Sequence, residues 1–182
     1  DNSGVQEAHN GKTFTITSPT PQLTSLSPAK VWIGVKNSDD IGIKFDLKAE
    51  VYKDNTLVSS GQINSVSGGS NGFAHALLNT ISFNTFSPID FPIGSQLSIK
   101  LYARNACIGS GKNSGTARLW YNDTQANSKF TATIATNTSD YFLLNNSTLG
   151  TSTGTGPKLT SDLSAGAKCS PFKSFGTWTI TP

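Results

Sequence analysis

The chain has 182 residues, 14% of them charged, and 14 lysines and arginines against 11 acidic residues give it a net charge of +3. Its basic residues are scattered, which argues against nucleic-acid binding, and no apolar run is long enough to span a membrane. A chain of this length has room for one domain with one substantial core.

The predicted elements are strands. Ser, Thr, Asn and Gly are frequent and strong helix formers are few, so the composition favours strands joined by turns. Apolar and polar side chains alternate with period two most clearly in KFDLKAEVY. The predicted strands, in chain order, are KTFTIT, AKVWIGVK, KFDLKAEVY, TLVSSGQINSV, LLNTISFNTF, QLSIKLYAR, TARLWYN, KFTATI, DYFLL and GTWTITP.

This alternation predicts an all-β fold. Strands with one apolar and one polar face form sheets that must stack in order to bury the apolar faces. We therefore expect a single antiparallel β-sandwich, jelly-roll-like, with about ten strands. We place its domain at residues 26–182, preceded at 1–25 by a polar tail with one edge or donor strand.

Two aspartates, Asp39 and Asp40, lie between two predicted strands and precede Gly42. Our first interpretation is a tight hairpin connection in which glycine takes a positive φ. The alternative is a calcium site, because calcium binds carboxylate and loop carbonyl oxygens. No other cofactor is expected. Further ligands to the ion would come from Asn37, Asp123 and Asp140.

The two cysteines, Cys107 and Cys169, both lie in polar, glycine- or serine-containing loops instead of apolar strands. We predict a disulfide between them, with two free thiols as the alternative. A disulfide indicates an oxidising compartment. Together with a start at Asp1 and the absence of methionine, it favours a secreted protein that has lost its signal peptide.

No catalytic constellation is visible. The only histidines are His9 and His75, and the only glutamates are Glu7 and Glu50, none of them in a pattern typical of a zinc site, a triad or a glycosidase pair. We expect a protein without enzymatic activity.

The aromatic residues suggest a binding surface. Trp120 and Tyr102 fall on the strand faces opposite the apolar residues, where an exposed ring could stack on a sugar. The alternative is that these rings only cover the sheet, as in many sandwiches.

The N-terminal segment suggests self-association. A short alternating strand follows a polar tail, and it could pair within its own sheet or add to a second copy. The residues expected to do so are Thr13, Phe14, Thr15, Ile16 and Thr17.

A resemblance is carried by four blocks in order, LSPAKVWIGVKNSDDIGIKFDLKAEVYKDNTLVSSG, SGTARLWYND, SDYFLL and FGTWTIT. They resemble a family of uncharacterised β-rich modules of secreted bacterial proteins, which implies export and brings no catalytic residue. We expect a secreted or cell-surface structural subunit whose partners are copies of itself, assembling into a filament by strand addition. The alternative is an adhesive or glycan-binding module.

Overall fold

The computed structural model describes residues 5–8, 12–15, 20–71, 75–109, 112–123, 125–134, 138–143 and 159–180. Within these ranges the chain is mostly strands, and Ser38–Asp40 forms a short 3-10 helix. The strands are Val5–Ala8 (β1), Lys12–Thr15 (β2), Gln22–Leu26 (β3), Ala29–Val35 (β4), Lys44–Lys53 (β5), Thr56–Ser67 (β6), Leu77–Ile81 (β7), Ile89–Asp90 (β8), Leu97–Asn105 (β9), Thr116–Tyr121 (β10), Lys129–Ile134 (β11), Thr138–Leu143 (β12), Leu159–Ser164 (β13) and Lys173–Ile180 (β14).

Sheet I, the larger sheet, contains β3, β4, β7, β8 and β10 to β13, all paired antiparallel. Its strands are interrupted versions of longer ones. β11 and β10 pair in succession with β3 and β4, and β12 and β13 pair in succession with β11 and β10. β8 and β7 line the other side of β3 and β4. Four of the strands, β1, β3, β8 and β13, were not among the ten predicted segments.

Sheet II has four antiparallel strands in the order β14, β9, β5, β6. β5 pairs with β9 from Phe45 to Lys53, and β6 lies on its other side. The inner side chains of β5 are buried, as their alternation in the sequence predicts. These residues are Phe45, Leu47, Ala49 and Val51.

One apolar core lies between the two sheets. Leu97, Ile99 and Leu101 of sheet II pack in the same cluster as Ile33 and Leu119 of sheet I. This arrangement confirms the predicted all-β antiparallel sandwich. Among the described residues, no helix is long and apolar enough to cross a membrane.

The sandwich begins earlier than the predicted boundary at residue 26. β3 starts at Gln22, and the side chain of Leu23 is fully buried in the core. Leu23 pairs with Ile89 of β8 and Ile134 of β11, so these residues belong to sheet I. The turn-rich sequence before Leu26 did not predict β3, which is a short strand paired with β8 and β11.

A disulfide joins Cys107 to Cys169, as predicted, and closes a sequence separation of 62 residues. It lies where β9 ends and where the connection from β13 to β14 passes from sheet I to sheet II. The buried carboxylate of Asp46 organises the same corner. Asp46 accepts hydrogen bonds from the Arg104 Nε at 2.9 Å, the Ser65 backbone N–H at 2.9 Å and the Cys107 backbone N–H at 3.4 Å.

Replacing both cysteines by alanine should lower the free energy of unfolding by about 4 kcal/mol, because the disulfide restricts a loop of this length in the unfolded chain. Urea denaturation of the double variant against the oxidised wild-type protein measures the difference. Wild-type protein unfolded in the presence of a reductant is the matched control and should show the same loss. A loss below about 1 kcal/mol in both would contradict the prediction.

Candidate functional site

The outer face of sheet II carries a cluster of charged and aromatic side chains, which we call the tyrosine face. Five residues define it, and they are Lys48, Glu50, Tyr52, Lys100 and Tyr102. They project outward because successive side chains of a strand point to opposite faces, and their neighbours along β5 and β9 fill the core. Antiparallel register places Lys48 opposite Tyr102 and Glu50 opposite Lys100.

Three donors converge on the carboxylate of Glu50. The Lys48 ammonium donates to Oε1 at 2.8 Å, and the hydroxyls of Tyr52 and Tyr102 each donate to Oε2 at 2.7 Å. The Glu50 side chain is only 14% exposed. A carboxylate that is partly withdrawn from water in this way keeps its charge because charged and neutral donors surround it.

One face of each tyrosine ring is covered by a lysine ammonium group. The Lys48 Nζ lies 4.5 Å from the centroid of the Tyr102 ring, and the Lys100 Nζ lies 4.5 Å from the centroid of the Tyr52 ring. Both distances are within the range of cation–π attraction. The rings therefore hold two cations in place and do not present an open stacking surface on those sides.

Proton affinities in the cluster follow from these contacts. Burial raises the pKa of Glu50, but hydrogen bonds from Lys48, Tyr102 and Tyr52 outweigh it, so the pKa lies below its ordinary value of 4.5. The pKa of Tyr52 is raised by its hydrogen bond to Glu50 and by burial, and that of Tyr102 by burial and by Glu50. At neutral pH the carboxylate is ionised and both hydroxyls carry their protons.

A second aromatic contact extends the tyrosine face towards the disulfide. The guanidinium carbon of Arg104 lies 4.3 Å from the centroid of the Phe172 ring, and the Lys48 Nζ lies 5.2 Å from the same centroid. Arg104 also pairs with Asp46 at 2.9 Å. The charges of this face thus form two neighbouring groups, one centred on Glu50 and one on Asp46.

The predicted exposure of Trp120 is wrong. Its side chain is 4% exposed and packs with Ala76, Ala126 and Trp32 in a small cluster on the outer side of sheet I. Ala126, which lies in the interruption between β10 and β11, packs against the ring. The Trp120 ring is therefore not accessible for stacking on a sugar. Tyr102, by contrast, lies on the outer face of sheet II, as predicted.

The connection containing Asp39 and Asp40 joins two sheets instead of forming a hairpin, because β4 belongs to sheet I and β5 to sheet II. The two aspartates occupy a single 3-10 turn, and Gly42 has the expected positive φ of 91°. The Asp40 Oδ2 accepts a hydrogen bond from the Thr116 backbone N–H at 3.2 Å. This contact links the connection to the start of β10.

The structure does not bring Asp123 to the Asp39–Asp40 pair. Asp40 contacts Thr116 at one end of β10, while Asp123 follows the other end, and a six-residue strand separates its ends by roughly 17 Å. The Asp123 Oδ1 accepts hydrogen bonds from two backbone N–H groups of its own loop, at 2.8 and 3.2 Å. Among the described residues, no three His, Cys, Asp or Glu side chains are grouped so that they could hold a metal ion.

The predicted self-association segment is described only in part. Thr13, Phe14 and Thr15 lie in β2, which pairs with β1 in a separate two-stranded sheet, while Ile16 and Thr17 lie outside the described residues. The N-terminal region therefore contains two strands where the sequence predicted one.

Comparison with known proteins assigns the chain to no family. No family model matches the chain, and neither a curated protein nor a solved structure matches it. The resemblance to secreted bacterial modules stays a prediction.

Sequence reasoning missed the network around Glu50. Alternation already placed Lys48, Glu50 and Tyr52 on one face of one strand, and this was the available signal. The register that sets Tyr102 beside them could not be derived from either strand alone.

Replacing Glu50 by glutamine should lower stability near pH 7 by about 1 to 2 kcal/mol, because hydrogen bonds to a charged acceptor become neutral ones. A carboxyl with a lowered pKa stabilises the fold above its unfolded pKa and loses this contribution as pH falls through its folded pKa. The difference between the two proteins should therefore disappear towards pH 3. Urea denaturation at pH 7 and pH 3 measures it, and an equal loss at both values would refute the prediction.

Proposed function

We propose that this protein is a secreted, non-enzymatic structural or surface subunit that self-associates, into a filament, by adding an N-terminal strand of one copy to a sheet edge of the next. The supporting observation is the position of β1 and β2. Among the described residues they pair with each other and with no strand of sheet I or sheet II. An isolated two-stranded ribbon is marginally stable in water, so it favours a further pairing partner.

The free side of β7 is a suitable acceptor edge. Within the described part of the chain, β7 has β4 as its only paired strand. Two large apolar side chains on it are partly in contact with water, since Leu77 is 43% and Leu78 is 46% exposed. An edge strand with exposed leucines invites pairing with another strand.

The outer edge of β6, by contrast, is already covered. The Asn84 backbone N–H donates to the Ser60 carbonyl oxygen at 2.9 Å, and the Ser59 hydroxyl donates to the Asn84 carbonyl oxygen at 2.7 Å. A side chain at Gly61 would collide with the carbonyl oxygen of Ser82, which shows how closely this segment approaches β6. An added strand would have to displace it, so β7 is the more accessible edge.

The disulfide bears on the compartment of the protein, and the tyrosine face bears on its ligand. The disulfide supports an oxidising compartment and hence secretion. The absence of enzymatic activity rests on the sequence pattern alone. Glycan binding is the second candidate function, and the tyrosine face is the observation that favours it.

Deleting residues 1–18 should convert assemblies to monomers, because the donor strand is lost while the sandwich from Gln22 onward is kept. Light scattering with native protein at high concentration measures the molar mass. A full-length protein that is monomeric at such concentrations would refute the proposed self-association.

Replacing Leu78 by lysine should weaken assembly by about tenfold or more, because a charge on an edge strand opposes strand addition. Ile108→Lys is the matched control, since Ile108 is 76% exposed in the loop that follows β9 of sheet II. Sedimentation over a concentration series compares the two variants. Equal weakening by both substitutions would exclude β7 as the acceptor, even if deletion of residues 1–18 abolishes assembly.

A further inference from the structure

The outer face of sheet II carries more basic than acidic side chains. Its outward positions on β5 and β9 include four basic residues and two carboxylates. The carboxylates are Asp46 and Glu50, and the basic residues are Lys44, Lys48, Lys100 and Arg104. This single face therefore contributes a large part of the small positive net charge of the chain.

Both carboxylates are occupied by partners from the protein itself. Asp46 is 2% exposed and binds Arg104 together with two backbone N–H groups, and Glu50 binds Lys48 and two tyrosine hydroxyls. Neither Lys44 nor Lys100 forms an ion pair with a carboxylate in the described part of the chain. Two positive charges on this face remain available to an anion.

The more central of these two charges is held in place before any ligand arrives. The Lys100 Nζ lies over the Tyr52 ring, and Tyr52 is itself oriented by its hydrogen bond to Glu50. A cation fixed in this way loses less conformational freedom on binding than a free lysine. The polar side chains of Ser60 and Gln62 lie opposite Glu50 and Lys48 on β6 and offer hydrogen bonds to hydroxyl groups.

We propose that the outer face of sheet II binds an acidic polysaccharide, whose carboxylate or sulfate groups contact Lys100 and Lys44 and whose hydroxyls contact Ser60 and Gln62. The inference deepens the second candidate function and does not depend on strand addition.

The covered tyrosine rings decide the class of ligand. A neutral sugar bound by stacking and a single-stranded nucleic acid both require open ring faces. Here one face of each ring is already occupied by an ammonium group, that of Lys48 on Tyr102 and that of Lys100 on Tyr52, each 4.5 Å from the ring centroid. The remaining recognition is electrostatic and hydrogen-bonded, which suits a chain of acidic sugars.

Isothermal titration of the full-length protein with polygalacturonate and with heparin, at low salt, tests the proposal. We expect binding to at least one of these polymers that weakens as salt is added, and none to neutral dextran. Lys100→Glu should weaken the binding at least tenfold. Lys30→Glu is the matched control, because it makes the same change in net charge at an exposed position of sheet I, and it should change affinity less than twofold.

Lys100→Met keeps the apolar stem over Tyr52 and removes only the charge, so it also tests the proposal if the glutamate variant unfolds. It should weaken binding about threefold or more with an unchanged thermal melting curve. The proposal is overturned if neither acidic polymer binds, if Lys30→Glu weakens binding as much as Lys100→Glu, or if dextran or a single-stranded DNA 20-mer binds as tightly. The variant without residues 1–18 should retain binding, so failure of self-association and failure of this proposal are distinguishable.

Discussion

Burial of one apolar face of each sheet against the other is the constraint on which the rest of this structure depends. Phe45 and Leu47 from sheet II and Ile33 and Leu119 from sheet I are nearly inaccessible to water in a single cluster. Because side chains alternate along a strand, filling this interface places every second residue on an outer face. The composition of those outer faces then determines what the protein can bind.

The outer faces of the two sheets differ in how far other parts of the chain cover them. On sheet I, Ala126 from the loop between β10 and β11 and Ala76 directly before β7 pack against Trp120 and cover it. On sheet II, β5 and β9 pair without a break, and their outer side chains remain as an ordered polar array around Glu50. Residues from the connections between strands therefore cover part of one face, and uninterrupted pairing of β5 and β9 leaves the other accessible.

Asp46 shows how a buried charge is accommodated beside this array. Its carboxylate is neutralised by Arg104, and it also accepts hydrogen bonds from backbone groups next to the disulfide. Burial of an unpaired carboxylate would cost several kcal/mol, so the corner must be assembled with all its donors in place. The disulfide and the pairing of β5, β6 and β9 thus support one another.

The sequence alone determined the all-β class and the direction of side chains along strands such as β5, because both follow from period-two alternation, and it predicted the disulfide between the only two cysteines. It also placed Glu50 and Tyr52 on one strand face. Only the tertiary structure decided that Tyr102 joins them, that Trp120 is buried and that Asp123 lies away from Asp40. Those outcomes depend on strand register and on loop paths, which are set by contacts between segments distant in sequence and leave no local pattern.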